Sequence, residues 1–567
     1  MKKIYFAFLF ILCGALSLRG ASVERVFITT DKDVYVAGDR LRFSAFCLDA
    51  STLRLSETSA VAYMELHSAT SVALTCKIAL VGGRGAGEIS LPQTLPTGNY
   101  KIVVYTALAA AEQGYDFDNP WSRTISVFNT ISPERVPDGV QIVEPSQYTA
   151  AVPAPSDCSC GDVRIALQGE ASRGGILPVH IDAGGEATLC VSVFHDDGII
   201  APQNQSLSSF CSCVSALDAA SVRYAEGTVP EYEGEIIRGN VRGANAQDIS
   251  LLRDRNVFIA VPSDKSDIYA SAVAPDGSLC FHTNNIYGKK DIVCEFDNAG
   301  LSESCRVHLE SPFKATGINA PQKLCLSSAL ADRLNFRTLQ MQIGSAFDSK
   351  ALLSDLNVRE NPLFTGECIR YAVDDYTKFP TIEEIVVEYL REVMVTRSKG
   401  RRDFKVLLAT NTIFVTDDSE NNTLILLDGV PVFNHEAMYQ FDPSLLRYID
   451  VYPYSYCVNP KVFDGVVNFI TRKGDMGGMT FPDNVVITQW RGCALPKAYL
   501  CENAPADENY PDYRGTLYWH PILEVPQEGG CDFSCTLPCY GGNFRIVVQG
   551  LSADGKPLYN ETRFTIK

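Results

Sequence analysis

Short runs with an apolar residue at every second position recur along this chain, and most are bounded by Gly, Pro, Asn or Asp. Leu41-Arg42-Phe43-Ser44-Ala45-Phe46 alternates in this way after the turn Ala37-Gly38-Asp39, and Tyr100 to Thr106 follows the turn Gly98-Asn99. A period of two puts successive side chains on opposite faces of an extended backbone, so such a run buries one face of a strand. The pattern predicts a mainly β chain of several sandwiches in series. With 567 residues there is room for roughly three to five domains. Hydrophobic residues at 46% and charged residues at 20% supply an ordinary buried core.

The first residues predict export. Lys2 and Lys3 form a basic start, Ile4 to Leu18 is almost wholly apolar, and Gly20-Ala21 offers small residues for cleavage. This reads as a signal peptide over residues 1–21. The apolar stretch is short for a span, which needs about 20 residues. Leu12 precedes Cys13 where a lipoprotein site wants a small residue, so no lipid anchor is expected there. No later stretch is long and apolar enough to be a membrane helix. The formal net charge of -18 repels a phosphate backbone, so nucleic acid is not an expected partner.

Nineteen cysteines are present. The sets Cys158/Cys160, Cys211/Cys213 and Cys531/Cys535/Cys539 admit buried thiols, disulfides or metal ligation. On a strand, each C-x-C pair would share one face. The C-x3-C-x3-C run lacks the paired spacing of a zinc site, and no metal or cofactor is expected.

Residues 22–130 predict the first sandwich. Thr30-Asp31-Lys32-Asp33-Val34-Tyr35-Val36-Ala37-Gly38-Asp39-Arg40-Leu41-Arg42-Phe43 resembles the opening of macroglobulin domains of the α2-macroglobulin type. There a Gly-Asp turn reverses the chain and the Tyr packs across it. Leu95-Pro96-Thr97-Gly98-Asn99-Tyr100 resembles a later turn and strand of the same domain. The likeness implies an Ig/macroglobulin-like sandwich, of the kind called MG2. Prolines 133, 137, 145, 153 and 155 make residues 131–160 a linker. Residues 161–230 predict a second sandwich. Residues 231–312, with Gly234 to Val241, Val257 to Pro262 and Asp276 to Phe281, resemble the transthyretin-like domain of the carboxypeptidase regulatory type. Residues 313–375 connect, with one helix suggested by Leu330, Leu334 and Met341.

Residues 376–478 change character. Ile382, Ile385, Val386, Tyr389 and Leu390 form one helical face, with Thr381 as N-cap and Glu383 and Glu384 in the first turn. Strands are predicted at Lys405 to Ala409, Thr423 to Leu427, Tyr448 to Tyr452 and Val466 to Thr471, with a short helix at His435 to Gln440. Together they predict a small α/β layer. Leu424 to Val432, Asp442 to Val451 and Phe463 to Lys473 resemble the plug domain of TonB-dependent receptors. Only 92 residues follow Asp475. A receptor barrel of about 22 strands, each of about 10 residues, needs far more, so this stretch is expected not to build one. Residues 479–567 predict a C-terminal sandwich, with strands at Gly515 to Pro521 and Asn543 to Gly550. The whole order resembles macroglobulin-plus-plug envelope proteins of Bacteroidota.

No catalytic residue is expected. His435-Glu436-Ala437-Met438-Tyr439 opens like a zinc-protease helix, but Tyr439 stands where the second His is needed. The sequence holds no G-x-S-x-G elbow, Walker loop or dinucleotide fingerprint. The thioester Cys-Gly-Glu-Gln of macroglobulin inhibitors is also missing, with Gly492-Cys493-Ala494 the nearest fragment. Thr396 to Arg402 is the densest basic run, predicted as a loop, and Arg397, Lys399, Arg401 and Arg402 are candidate contacts for an acidic partner. Asp428, in the turn Asp428-Gly429-Val430-Pro431, is a further candidate contact. The expected function is a non-catalytic envelope binding or assembly protein in the periplasm or at the outer membrane. Its expected partners are other envelope proteins. The alternatives are an accessory of a TonB-linked uptake system that meets a separate outer-membrane barrel, and a macroglobulin-type protease inhibitor.

Overall fold

The computed structural model describes residues 22–567 except 120, 133–138, 147, 149–162, 254, 264–266, 285, 298–300, 303, 347–352, 356–362, 399–400, 410–421, 459–460, 495–496 and 500–510. Side chains of 246, 249, 353–355, 398, 401 and 497–499 are also outside the description. The expected signal peptide, Cys158/Cys160 and Lys399 therefore lie outside the described residues. The chain forms two compact units. One comprises Met1–Tyr232, Phe313–Val358 and Cys493–Lys567, and the other Glu233–Pro312 and Arg359–Gly492. Among the described residues no helix is long and apolar enough to cross a membrane.

In the first unit, eight strands build one sandwich. They are β1 Glu24–Thr30, β2 Val34–Val36, β3 Arg40–Asp49, β4 Val61–His67, β5 Val72–Ala79, β6 Arg84–Ser90, β7 Gly98–Thr106 and β8 Arg123–Phe128. One sheet runs β1-β3-β6 and the other β2-β8-β7-β4-β5. Their inner faces meet in a core that includes Val26, Ile28, Phe43, Ala45, Met64, Ile78, Ile102 and Ile125. The opening motif folds on itself. Gly38 takes φ +90°, which its missing Cβ allows, and the Asp39 N–H closes the turn on the Val36 carbonyl at 3.0 Å. Tyr35 is wholly buried, and its hydroxyl donates to Asp31 Oδ1 at 2.7 Å and to the Lys32 carbonyl at 2.8 Å. Lys32 Nζ reaches Asp39 at 2.7 Å. At the second motif, the Tyr100 hydroxyl donates to the Pro96 carbonyl at 2.7 Å.

The second sandwich corrects the expected boundaries. Arg164–Leu167 and Ile176–Asp182 form a sheet with Gly530–Thr536. Ala187–His195 lies between Thr516–Val525 and Gly542–Ser552, and Pro557–Ile566 closes that sheet. Residues 161–230 and the C-terminal segment, read as two sandwiches, are one. The physical reason is pairing: Ala187–His195 buries its apolar face and satisfies both backbone edges only against strands over 300 residues away. Leu189, Val191 and Val193 face a core with Ile546, Val548 and Phe544. Residues 131–160 are also more than a linker, since Val140–Ile142 pairs in parallel with Leu324–Leu326. The helix Ala331–Ala346 is present and buries Leu334 and Met341 with Val34, Val36 and Phe128.

Cys211 and Cys213, read on a strand, lie on the helix Leu207–Ser215. Two helical residues turn the chain about 200°, so they do not share a face. Cys211 is buried and Cys213 only partly. The buried stripe Leu207, Phe210, Cys211 and Val214 has helical spacing.

In the second unit, the strands Lys289–Phe296, Asn256–Val261 and Asp267–Ala272 form a four-stranded sheet with Val486–Arg491. That last strand was expected in the C-terminal sandwich. Ile236–Arg242, Ser278–His282 and Arg306–Leu309 form the facing sheet. The α/β layer has a mixed five-stranded sheet, ordered Ile369–Ala372, Leu446–Val458, Lys461–Thr471, Leu424–Leu427 and Val430–Pro431. Leu424–Leu427 is buried at every position, because each face has a cover. Ile425 and Leu427 meet the helices Ile382–Tyr389 and His435–Tyr439, while Leu424 and Leu426 meet Phe258, Ala260 and Val293 of the sandwich.

A fragment of residues 163–230 is expected to stay unfolded alone and to gain strand signal when mixed with residues 511–567. Far-ultraviolet circular dichroism of the fragments, separate and combined, checks this. A strand spectrum from the first fragment alone would restore the two-sandwich reading.

Candidate functional site

The first unit holds a polar cavity of about 150 Å³ where its two sandwiches meet. The Thr30–Asp33 loop forms one wall. Arg123, the segment Pro202–Ser206 and the outward face of Ala187–His195 and its neighbours form the rest. The alternation along that strand decides which side chains arrive. Leu189, Val191 and Val193 face the core, so Cys190, Ser192 and Phe194 face the cavity. Ser192 Oγ donates to the Asp31 carbonyl at 2.6 Å and Thr516 Oγ1 to Asp31 Oδ2 at 2.7 Å. Arg123 binds Asp33 at 2.6 Å and Thr30 Oγ1 at 2.8 Å. Arg545 binds Asp196 at 2.9 Å, and the Tyr559 hydroxyl donates to Glu561 at 3.0 Å. Burial pushes the Cys190 thiol far up, which leaves it a packed neutral group. These residues come from seven stretches of sequence. Of them, only the Thr30–Asp33 motif stands out in the sequence.

Nearby, Arg337 clamps Asp197 with two bonds, at 2.5 and 2.9 Å, and donates to the Val34 carbonyl at 2.6 Å. Burial would raise Asp197, but Arg337 outweighs it and holds the carboxyl below its usual range.

The second unit contains the basic run. It is a β-hairpin, not a loop, with Val393–Ser398 paired to Arg401–Val406. Phe404 and Val406 are buried on its inner side. Arg397 binds Glu383 at 2.6 Å, and Arg402 binds Glu383 at 2.8 Å and pairs with Glu436. Arg402 also stacks on Tyr439, 4.4 Å from the ring centre. Glu436, the would-be protease base, is thereby held by an arginine, and the His435 ring lies 3.5 Å from Asp403. Arg401 is placed by its backbone opposite Ser398.

Asp428 is 1% exposed and has φ +49°, followed by Gly429 at +79°. Both angles suit the two-residue turn that joins Leu424–Leu427 to Val430–Pro431. The carboxylate accepts from Thr471 N at 2.7 Å, Thr471 Oγ1 at 2.6 Å and Met476 N at 2.8 Å. Its carbonyl takes the Ser263 N–H at 2.8 Å. Asp428 thus ties the turn to the neighbouring strand and to the sandwich.

The packed-thiol reading describes Cys47, Cys190, Cys294 and Cys535, which are buried. Cys531, Cys535 and Cys539 differ in burial, and Cys539 donates to the Asp512 carbonyl at 3.0 Å.

No family model matches the chain, and no curated protein matches it. Solved structures do. Escherichia coli α-2-macroglobulin activated by porcine elastase is similar at 8% identity and a TM-score of 0.24, over 96% of this chain and 44% of that one. Salmonella α-2-macroglobulin reacted with methylamine is similar at 9% identity and a TM-score of 0.23, over 97% and 40%. FdeC, an Escherichia coli adhesin, is similar at 8% identity and a TM-score of 0.14, over 51% and 63%. The chain spans less than half the length of those macroglobulins. At such TM-scores the β-sandwich architecture stands on the sheets themselves.

Glu295 is 8% exposed on the sandwich face that meets the α/β layer, and its Oε2 has no partner. Burial pushes its carboxyl up to about 8. A raised acid stabilises the fold fully below its unfolded value near 4.3, and that contribution is lost as pH rises through about 8. Glu295→Gln is therefore expected to match the parent at pH 4 and to melt higher by about 2–4 °C or more at pH 9. Thermal unfolding at both pH values checks this, and parallel pH profiles would refute it.

Proposed function

We propose that this chain is an exported, non-catalytic binding or assembly protein of the cell envelope, acting through sheet edges and the faces of its α/β layer. The observation that carries the reading is the strand Val486–Arg491. Among the described residues it is the last strand of its sheet and pairs only with Lys289–Phe296, and its alternate residues Ile487, Gln489 and Arg491 face solvent. Ile487 is 52% exposed. An edge of this kind offers backbone N–H and C=O groups to an extended partner segment, with side chains giving selectivity. The basic hairpin and Asp428 support the same reading differently. Arg397, Arg402 and Asp428 shape a rigid layer, and Lys399 and Arg401 are the proposed contacts for an acidic envelope partner.

A second reading rests on the α/β layer. It has its own core between Ile382, Phe404, Ile425, Ile449 and Phe469, and its motifs are those that resemble receptor plugs. We propose it as the part that meets a separate outer-membrane barrel, in a chain of Bacteroidota type. The transthyretin-like likeness of residues 231–312 supports the same scaffold role, and a protease-inhibitor role is the weaker alternative.

The test is site-specific photocrosslinking in the native envelope, from Ile487 and from Met394 on the hairpin's outer face. One reproducible protein adduct from Ile487 is expected, lost in Gln489→Pro, which bars strand addition. A barrel adduct from Met394 alone would favour the uptake reading, and no adduct from either would overturn both.

A further inference from the structure

We propose that Cys280, with His282 beside it on one strand, is a modification site that takes up a small anionic disulfide as a mixed disulfide. The site belongs to the sheet of Ile236–Arg242, Ser278–His282 and Arg306–Leu309, while Val486–Arg491 belongs to the facing sheet. It therefore goes beyond the partner reading and does not rest on it.

Alternation along the strand sets the pair. Leu279 and Phe281 are buried in the sandwich core, so Ser278, Cys280 and His282 face outward. Cys280 Sγ lies 3.7 Å from His282 Nε2. A thiol with a base in hydrogen-bond reach is the arrangement of an activated sulfur nucleophile, because the thiolate is the form that attacks. Cys280 is half-buried and His282 is exposed, so a reagent meets the sulfur from solvent. Other thiols differ. Cys325, Cys457 and Cys539 are more exposed, but among the described residues none is hydrogen-bonded to an imidazole, and Cys539 is held by the Asp512 carbonyl. Cys47 and Cys190 are buried, and burial pushes both thiols up.

The charge around the pair selects the disulfide. Arg238 stands directly opposite Cys280 on the neighbouring strand, where facing Cβ atoms lie about 5 Å apart. Ile237, Val241 and Val307 take the inward positions, which leaves Arg238, Arg242 and Arg306 exposed on the outer face. Glu310 is the acid there, and it accepts from Asn240 Nδ2 at 3.0 Å. The formal net charge of the chain is -18, so this face runs against the whole. Cations beside a sulfur favour its thiolate and draw an anionic reagent.

The exchange balances without an outside oxidant. The thiol proton passes to His282 Nε2, and Cys280 Sγ attacks one sulfur of the disulfide. A new S–S bond forms to Cys280 as the old one breaks, and the departing thiolate takes the proton from the imidazolium. Cys280 is oxidised and the released half of the reagent is reduced to a thiol.

The test exposes the reduced full chain, at about pH 7 where an imidazole accepts protons, to oxidised glutathione, which is anionic, or to cystamine, which is cationic. Peptide mass spectrometry follows each thiol over time. Cys280 is expected to react about three- to tenfold faster with the anionic reagent, a preference that Arg238→Gln reduces. His282→Gln is expected to slow Cys280 about tenfold and to leave Cys325 and Cys457 unchanged. Both substitutions are at exposed positions, and should one variant fail to fold by circular dichroism the other carries the test. An unchanged Cys280 rate in His282→Gln, or equal rates for the two reagents, would overturn the proposal. Crosslinking from Ile487 is expected to persist in both variants, so failure here and failure of the partner reading are separate results.

Discussion

The strand Ala187–His195 bonds on both sides to strands from the far end of the chain, and the first unit depends on that double pairing. On one flank it meets Thr516–Val525, on the other Gly542–Ser552. Its inner residues hold the second core. Its outer residue Cys190 joins Phe27, Phe46, Phe210 and Trp519 in a cluster shared with the first sandwich. The polar cavity exists because that apolar seam gives way to Ser192, Arg545 and Gln549 next to the Thr30–Asp33 loop. One strand thus sets a core, a seam and a cavity through the plain alternation of its side chains.

Buried polar groups then fix the geometry. Asp31 is 1% exposed and receives Tyr35, Thr516 and the Arg42 N–H. A buried carboxylate is tolerable only when its lone pairs are filled, and one that is filled from two sandwiches holds both in register. Asp428 does the equivalent work in the second unit, joining a turn, a strand end and a loop. Both are acids that motif reading notices, and both owe their place to satisfied hydrogen bonds.

What the sequence made legible was local. The Thr30 to Asp39 motif closes within ten residues, so its turn, its buried Tyr and its strand follow from neighbouring residues alone. The helix Ile382–Tyr389 announced itself by spacing and by its Thr381 cap, which accepts the Glu384 N–H at 3.3 Å. The buried run Leu424–Leu427 read correctly as a strand. What stayed hidden was non-local. Nothing near Ala187 says that its partners lie beyond residue 510, because strand register is settled by packing. The cavity escaped for the same reason, being assembled from seven stretches. The helix at Cys211 was a different failure. Its signal was present in Leu207, Phe210, Cys211 and Val214, but the eye-catching C-x-C pair drew a strand reading over it. The basic run hid its structure in the same way, since the acids that hold Arg397 and Arg402, Glu383 and Glu436, lie outside it in the sequence.

A sandwich split between two distant stretches has a consequence for biogenesis. As the polypeptide leaves the ribosome in order, residues 163–195 emerge long before the strands that flank them. Throughout that interval they present open hydrogen-bonding edges and half a hydrophobic face, a sticky state prone to pairing with the wrong neighbour. Folding of the first unit is therefore deferred until the tail arrives. Deferral makes an escorting chaperone most valuable at this segment.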